Sequence, residues 1–229
     1  MRKRLHINDV IAEPGTVEID WGGLYSSTTS TFTMPSAVMW TPEDDSLYWG
    51  RTEYSVAFDS VSNAISGNGR ATQFSDRLTF AATTVLIDSG HFDVAVAPQA
   101  TAFLRSESGV RLGATAIARF DGGGNSAGLT AGWSGATTAS NTNPAGVWDL
   151  GVGYGRQLGW RLKRFTPHAD AVYERATGFE RTIAVFGGVE YQMTERAAVD
   201  AVWQRYGLAG GEADRQFLVS FTINLGKRP

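Results

Sequence analysis

A chain of 229 residues without cysteine, with a formal net charge of -3 and a pI near 5.6, excludes several protein classes. It has no disulfide framework, no thiolate metal site and no cysteine nucleophile, and it has no basic excess to meet the phosphates of a nucleic acid. The mean hydropathy of -0.17 and the lack of a long apolar run exclude a spanning helix. A membrane barrel is not excluded, because its strands alternate apolar and polar residues.

The first ten residues, MRKRLHINDV, begin with basic residues but contain no apolar stretch and no small-residue cleavage site of a signal peptide. We therefore expect a mature domain with an added initiator Met; a cytoplasmic protein that never carried a signal is the alternative. Residues 1–15 are interpreted as a periplasmic segment, 16–226 as one β-barrel and 227–229 as a C-terminal tail.

Twelve segments alternate between apolar and polar residues with the period of two that is typical of half-buried strands. In chain order they are 16–27, 30–40, 47–60, 76–87, 91–104, 109–121, 126–134, 147–155, 164–175, 181–192, 194–206 and 216–226. In the last segment, Phe217 and Val219 share one face and Ser220 lies on the other. The segment 194–206 comes closest to a helical period, but it also alternates and lies between strands, so we predict a strand. An even number of strands suits a closed bacterial membrane barrel.

The connections predict two different ends of the molecule. Every second one is short and turn-like: 41–45, 88–90, 121–124, 157–160 and 193–195. Several others are longer and polar: 61–73, 135–146 and 207–215. This asymmetry is the outer-membrane arrangement, with both chain ends in the periplasm. Pro35, Pro98 and Pro167 fall inside predicted strands, where they indicate either bulges or an incorrect register, because proline removes a ladder donor.

The same alternation also fits a soluble β-sandwich or barrel with its apolar face inside. Three features favour the membrane barrel. The strand faces carry no lysine, since Arg outnumbers Lys by 17 to three and Lys3, Lys163 and Lys227 lie at the termini or in a turn. The apolar face is large on nearly every strand. Trp and Tyr lie towards strand ends, as two aromatic girdles require: Trp21, Trp40, Tyr48, Trp133, Trp148, Tyr173, Tyr191 and Trp203.

We therefore predict an all-β fold, a closed antiparallel transmembrane β-barrel of 12 strands in an up-and-down meander, located in the bacterial outer membrane. Its polar face should line the lumen. The charged residues of that face are Asp20, Arg51, Glu53, Arg77, Asp93, Arg111, Arg119, Asp149, His168, Asp170, Glu174, Glu190 and Asp200. They either brace the interior or form a constriction whose transverse field selects solutes.

His168 and Asp170 share a strand face, with Glu174 beyond them, and this raises two further alternatives. A hydrolase would need a serine beside the histidine, and the sequence offers no serine motif for one. A metal site would need more than the spacing of two residues that is common on strands. We predict no catalytic residue, no metal and no cofactor.

The stretches EPGTVEIDWGG, TEYSVAFDS and MTERAAVDAVWQRY through FLVSFTINL resemble the outer-membrane transporter family associated with the meta-pathway of phenol degradation. The pattern of nearly the whole chain resembles Gram-negative outer-membrane β-barrel proteins. A departure is the ending GKRP after Leu225, where such barrels usually end on an aromatic residue. The resemblance implies a channel or transporter for small molecules, with small hydrophobic or aromatic compounds among the candidates.

The sequence thus predicts passive passage of an unidentified small solute through a polar lumen, narrowed by charged side chains and by the loop 61–73. The barrel is expected to be a monomer in contact with membrane lipid and without a nucleic-acid partner. A closed structural barrel without conduction and a membrane-embedded hydrolase are the competing functions. A soluble β-sheet binding protein is the least favoured alternative.

Overall fold

The computed structural model describes residues 11–43, 51–66, 69–73, 77–104, 109–139, 144–208 and 213–226, with the backbone alone at 59–66 and 69–73. Nearly all of this is β-strand. The strands are β1 (Thr16–Ser26), β2 (Thr31–Thr41), β3 (Thr52–Ser66), β4 (Gly69–Gln73), β5 (Arg77–Asp88), β6 (Phe92–Phe103), β7 (Val110–Gly122), β8 (Asn125–Ala136), β9 (Gly146–Arg156), β10 (Phe165–Ala176), β11 (Thr182–Thr194), β12 (Ala197–Arg205) and β13 (Arg215–Asn224). A single turn of 3-10 helix, Trp160–Leu162, lies between β9 and β10.

The strands form a closed antiparallel ring. Strands that are adjacent in the chain pair with each other, except that β5 pairs with β3 and not with β4. The ring closes because β13 pairs with β1, for example at Ile19 and Ile223. The short strand β4 pairs with the far half of β3, and β5 pairs with its near half, so β4 and β5 share one position of the ring. The barrel therefore has twelve positions, and the predicted 12-strand up-and-down barrel is confirmed.

Two sequence predictions about the connections need revision. The stretch 61–73, predicted as a polar loop that narrows the lumen, instead extends the barrel wall, because β3 runs to Ser66 and pairs with β4. Of the three prolines, only Pro35 lies at a register shift within its strand pairings. Pro98 and Pro167 lie in regular registers with their partners Ala114 and Val189. The predicted strand start at 47–50 and the tail 227–229 lie outside the described residues.

The exterior is apolar and the interior is polar, which is the reverse of a soluble protein. Leu129 on β8 is 60% exposed, whereas the carboxylates of Glu53 and Asp200 belong to residues only 2% and 4% exposed. The sequence alternation thus places apolar side chains outward on almost every strand. This arrangement suits lipid on the outside and decides against the soluble alternative.

Aromatic side chains stack in pairs towards both ends of the barrel. Trp40 and Tyr54 stack with ring centroids 5.8 Å apart near the end where β1 begins, and Trp133 and Trp148 lie 6.3 Å apart near the opposite end. Rings at two levels are what two membrane interfaces select. We call the end at which β1 begins and β13 ends the terminal end, and the opposite end the loop end. In an outer-membrane barrel the terminal end faces the periplasm.

No helix in the described part of the chain is long and apolar enough to cross a membrane.

Candidate functional site: the charged lumen

The charged residues predicted for the lumen fall on two facing walls. All of them occupy the inward alternation of their strands, and ring order places β9–β12 across from β3–β7. The wall of β9–β12 carries Asp149, His168, Asp170, Glu174, Glu190 and Asp200. Asp20 lies on β1, which β13 separates from β12. The wall of β3–β7 carries Arg51, Glu53, Arg77, Asp93, Arg111 and Arg119, where Arg51 immediately precedes β3. One wall is therefore rich in carboxylates and the other in guanidinium groups.

His168 is held between two carboxylates of the first wall. Its Nε2 lies 3.0 Å from Asp200 Oδ1 on β12, and its Nδ1 lies 3.5 Å from Asp170 Oδ2 on its own strand. All three side chains are largely buried. Both ring nitrogens therefore face carboxylate oxygens, and neither is directed at a serine hydroxyl in these contacts.

Gly188 allows this contact to form. His168 on β10 reaches Asp200 on β12 by passing over β11 at Gly188, its register partner. A Cβ at Gly188 would lie 2.7 Å from His168 Nε2 and 2.8 Å from the carbonyl oxygen of Ala201. Only a residue without a side chain leaves room for the imidazole here.

Two pairs of carboxylates lie directly opposite each other on neighbouring strands. Asp149 faces Glu174 towards the loop end, and Glu190 faces Asp200 deeper in the barrel. Like charges at directly opposite positions repel each other. A positive charge placed between the two carboxylates of a pair reduces this repulsion, so this wall favours cationic groups.

Two of the predicted arginines make contacts that hold the wall itself. Arg111 donates from Nη2 to the carbonyl oxygen of Pro144 at 2.6 Å and from Nη1 to Ser134 Oγ at 3.1 Å, so it ties the base of the β8–β9 loop to β7. Arg119 forms a two-point ion pair with Asp121, at 2.6 Å and 2.8 Å, and lies opposite Asp93. Asp20 likewise accepts a 2.6 Å hydrogen bond from Thr222. These contacts fit the bracing role that the sequence left open for this set.

A polar cluster at the loop end was not predicted. Ser26 donates to Asp214, and Gln216 donates to Asp214 and accepts from Gln204. Partial burial raises the pKa of Asp214, but hydrogen bonds from Gln216, Thr28 and Ser26 outweigh it and hold that pKa below its ordinary value. The cluster joins the β12–β13 connection to the end of β1. The alternating pattern could not predict this cluster, because Asp214 lies in the connection 207–215, outside the alternating segments.

The interior is more tightly filled towards the terminal end. Glu53 and Arg119 are buried there, whereas Ser55 and Thr115, nearer the loop end of the same strands, are partly exposed. Ile11, from the segment before β1, is 1% exposed and forms an apolar cluster with inward residues of β5–β7. Sequence reasoning assigned this segment to the periplasm and did not single out Ile11; the dipeptide Pro14-Gly15, a turn signal, could have drawn attention to it.

Among the residues that the structure describes, no group of three or more His, Cys, Asp or Glu side chains is arranged to hold a metal ion.

No protein-family model and no curated protein matches the chain. Solved structures do match. The KdgM porin aligns with a TM-score of 0.62 at 11% identity, and the NanC porin with 0.64 at 9%; each alignment covers 90% of this chain and 98% of the porin. The β domain of the Bordetella autotransporter BrkA aligns with 0.51 at 12% identity over 91% of this chain and 97% of that domain. Another structure of the KdgM porin is a complex with disordered oligogalacturonate.

At these identities the similarity concerns the fold. The chain has the fold of bacterial outer-membrane β-barrels, and the predicted outer-membrane class is confirmed at that level. The narrower resemblance, to the transporter family associated with phenol degradation, gains no support from these matches.

Proposed function

We propose that the protein is an outer-membrane channel through which small polar solutes pass by diffusion. The observation that carries this proposal is the closed barrel with an apolar exterior and a charged interior. A polar, charge-lined passage gives a solute an aqueous route across a membrane. The porin folds that the chain matches, KdgM and NanC, support the same general function.

The charge of the lining favours cations over anions. The thirteen predicted lumen residues comprise eight carboxylates, four arginines and His168, so carboxylates exceed arginines by 8 - 4 = 4. Asp149 and Glu174 lie directly opposite each other on β9 and β10, and both are partly exposed. Carboxylate-lined pores favour cations. We therefore propose that small cationic and neutral solutes pass more readily than anionic ones.

One observation supports the expectation that the solutes include small hydrophobic or aromatic compounds. Phe186 lies on the inward alternation of β11, and its ring packs edge-to-face against Tyr206 with centroids 5.8 Å apart. An aromatic pair near the loop end gives a flat apolar solute a surface on which to stack. This class of solute rests on the pair and on the family resemblance together.

The competing functions have less support. A hydrolase would use His168 as a base, but both of its ring nitrogens lie beside Asp170 and Asp200. A purely structural barrel would need no partly exposed charged lining at the loop end, where Asp149 and Glu174 lie. We accordingly propose a non-enzymatic channel.

Swelling of liposomes that contain the purified protein tests the charge preference. We expect cationic solutes to enter faster than anionic solutes of equal size. The double variant Asp149→Asn/Glu174→Gln removes one facing carboxylate pair and should lower the cation-to-anion ratio by about twofold or more. The control is Glu195→Gln, which removes the same charge type from an exposed turn at the terminal end and should leave the ratio unchanged. Faster entry of anions, or no swelling with any solute, would contradict the proposal.

We also propose that the barrel works as a monomer whose outer surface contacts lipid. The ring closes within one chain, because β13 pairs with β1 and β2 pairs with β3, so no partner is needed to complete it. Of the described strands, only the short β4 at the loop end pairs on one side alone. Light scattering of the folded protein in detergent should give the mass of one chain, 24.7 kDa, after subtraction of the detergent. A mass of two or three chains would sink this part of the proposal.

A further inference from the structure

The segment before β1 turns back into the barrel. The sequence Glu13-Pro14-Gly15-Thr16 has proline and glycine at the two central positions that a type II turn requires, and Gly15 has a φ of +78°. Thr16 Oγ1 donates to the carbonyl oxygen of Glu13 at 2.6 Å, and the Gly15 amide donates to the carbonyl oxygen of Thr41 at 2.8 Å. The turn therefore directs the preceding residues into the lumen.

Ile11 lies far across the lumen from the strand to which it is connected. It packs with Val85, Ala95 and Ile117 on β5, β6 and β7, the fourth to sixth positions of the ring counted from β1. A strand spacing of about 4.8 Å and a tilt of about 40° give a twelve-strand barrel a backbone diameter of about 24 Å. Residues 11–15 therefore cross part of the terminal mouth, from β1 to the wall formed by β5–β7.

A polar contact fixes the same segment from a second direction. The Ala12 amide donates a 2.9 Å hydrogen bond to Glu53 Oε2 on β3. Glu53 is 2% exposed although it points into the lumen, and Thr83 and Arg119 at the same end are also buried. In an empty passage these three inward side chains would face water, but at the terminal end of this barrel they are buried.

We propose that residues Ile11–Gly15 form a strap that restricts the terminal mouth of the channel. The Ile11 side chain packs in an apolar seat formed by Val85, Ala95 and Ile117, and its release from this seat widens the passage. The strap is held by the packing of the Ile11 side chain and by the hydrogen bond of the Ala12 amide, and no strand pairing depends on these contacts. It can therefore detach without opening the barrel. This inference rests on the proposed channel function and adds its regulation.

The first test asks whether the strap occupies its seat. The chain contains no cysteine, so a single Ile11→Cys substitution gives a unique thiol. In the folded protein in lipid vesicles, this thiol should react with a water-soluble maleimide at least about tenfold more slowly than a Glu195→Cys thiol, because rates follow exposure. Glu195 is the control because it lies in the exposed polar turn between β11 and β12 at the same end. Equal reaction rates of the two thiols would show that Ile11 does not occupy the proposed seat.

The second test asks whether the strap restricts flow. Single-channel conductance of Ile11→Asn, which places an amide in the apolar seat, should exceed that of the unaltered protein by about twofold or more. Leu225→Asn should not change it. Equal, measurable conductances of Ile11→Asn and the unaltered protein would refute the strap while leaving the channel in place. If neither protein conducts, the channel function fails, and the strap fails with it.

Discussion

The substitution Leu129→Arg is expected to lower the free energy of unfolding in a lipid bilayer by about 2–4 kcal/mol. Leu129 lies near the middle of β8, Asn125–Ala136, and points away from the lumen between the buried Gly128 and the inward Thr130. A guanidinium at that depth must be taken from water into hydrocarbon or must distort the bilayer to reach it. On a water-exposed surface the same change would cost within about 0.5 kcal/mol. Urea titration of the protein in lipid vesicles measures the difference.

Leu225→Arg is the matched control. Leu225 has nearly the same exposure, 56% against 60%, but lies past the end of β13 at the terminal end. Near an interface an arginine costs about 0–1 kcal/mol. A large loss at Leu129 with a small one at Leu225 supports lipid on the outside of the barrel. Equal small effects at both positions would argue for water there.

Gly188→Ala is expected to cost about 1–3 kcal/mol from overpacking alone. The new methyl group would lie 2.7 Å from His168 Nε2 and 2.8 Å from the carbonyl oxygen of Ala201. The backbone cannot yield, so the imidazole must move away from Asp200, and loss of a hydrogen bond within a buried polar group costs a further ~1–3 kcal/mol. The same urea titration reports the sum.

Gly187→Ala provides the control on the neighbouring position of β11. A Cβ at Gly187 meets nothing within 4 Å. The substitution should be neutral or slightly stabilising, because alanine loses less backbone freedom on folding than glycine. If both variants lose similar stability, the contact between His168 and Gly188 does not have the role assigned to it.

The barrel could be predicted from the sequence because each strand repeats the same pattern. QFLVSFTINLG alternates throughout, and in the fold it becomes β13 and pairs with β1, where Trp21 stacks on Phe221 at 5.6 Å. The alternation also gave the inward position of each charged residue, since that follows from counting by two along a strand. The missing lysines and the aromatic strand ends then separated a membrane barrel from a soluble one.

The hairpin of β3 and β4 was missed because polar composition was taken as a sign of a loop. A strand whose outer face is in water needs no continuous apolar face, so polar composition does not exclude a strand. The residues SGNGR contain Gly67-Asn68, the type of pair that joins two hairpin strands, and this local signal is more informative there than polarity.

The partners of the lumen residues could not be predicted, because they depend on ring order and register. Arg111 contacts Pro144, 33 residues away, and His168 contacts Asp200, 32 residues away. Counting along one strand places each side chain inside but does not say what it meets there. The contacts of Ile11 were even harder to predict, because Ile11 precedes every strand and its seat is formed by three strands far along the chain.

The most direct test of the channel is single-channel recording of the unaltered protein in a planar bilayer under a KCl gradient, after heat-dependent gel mobility has established folding. We expect discrete current steps with a reversal potential displaced towards that of K⁺, because carboxylates outnumber arginines in the lumen. A folded barrel that inserts and passes no current, alone or as Ile11→Asn, would contradict the channel function. A reversal potential displaced towards that of Cl⁻ would contradict the proposed preference for cations.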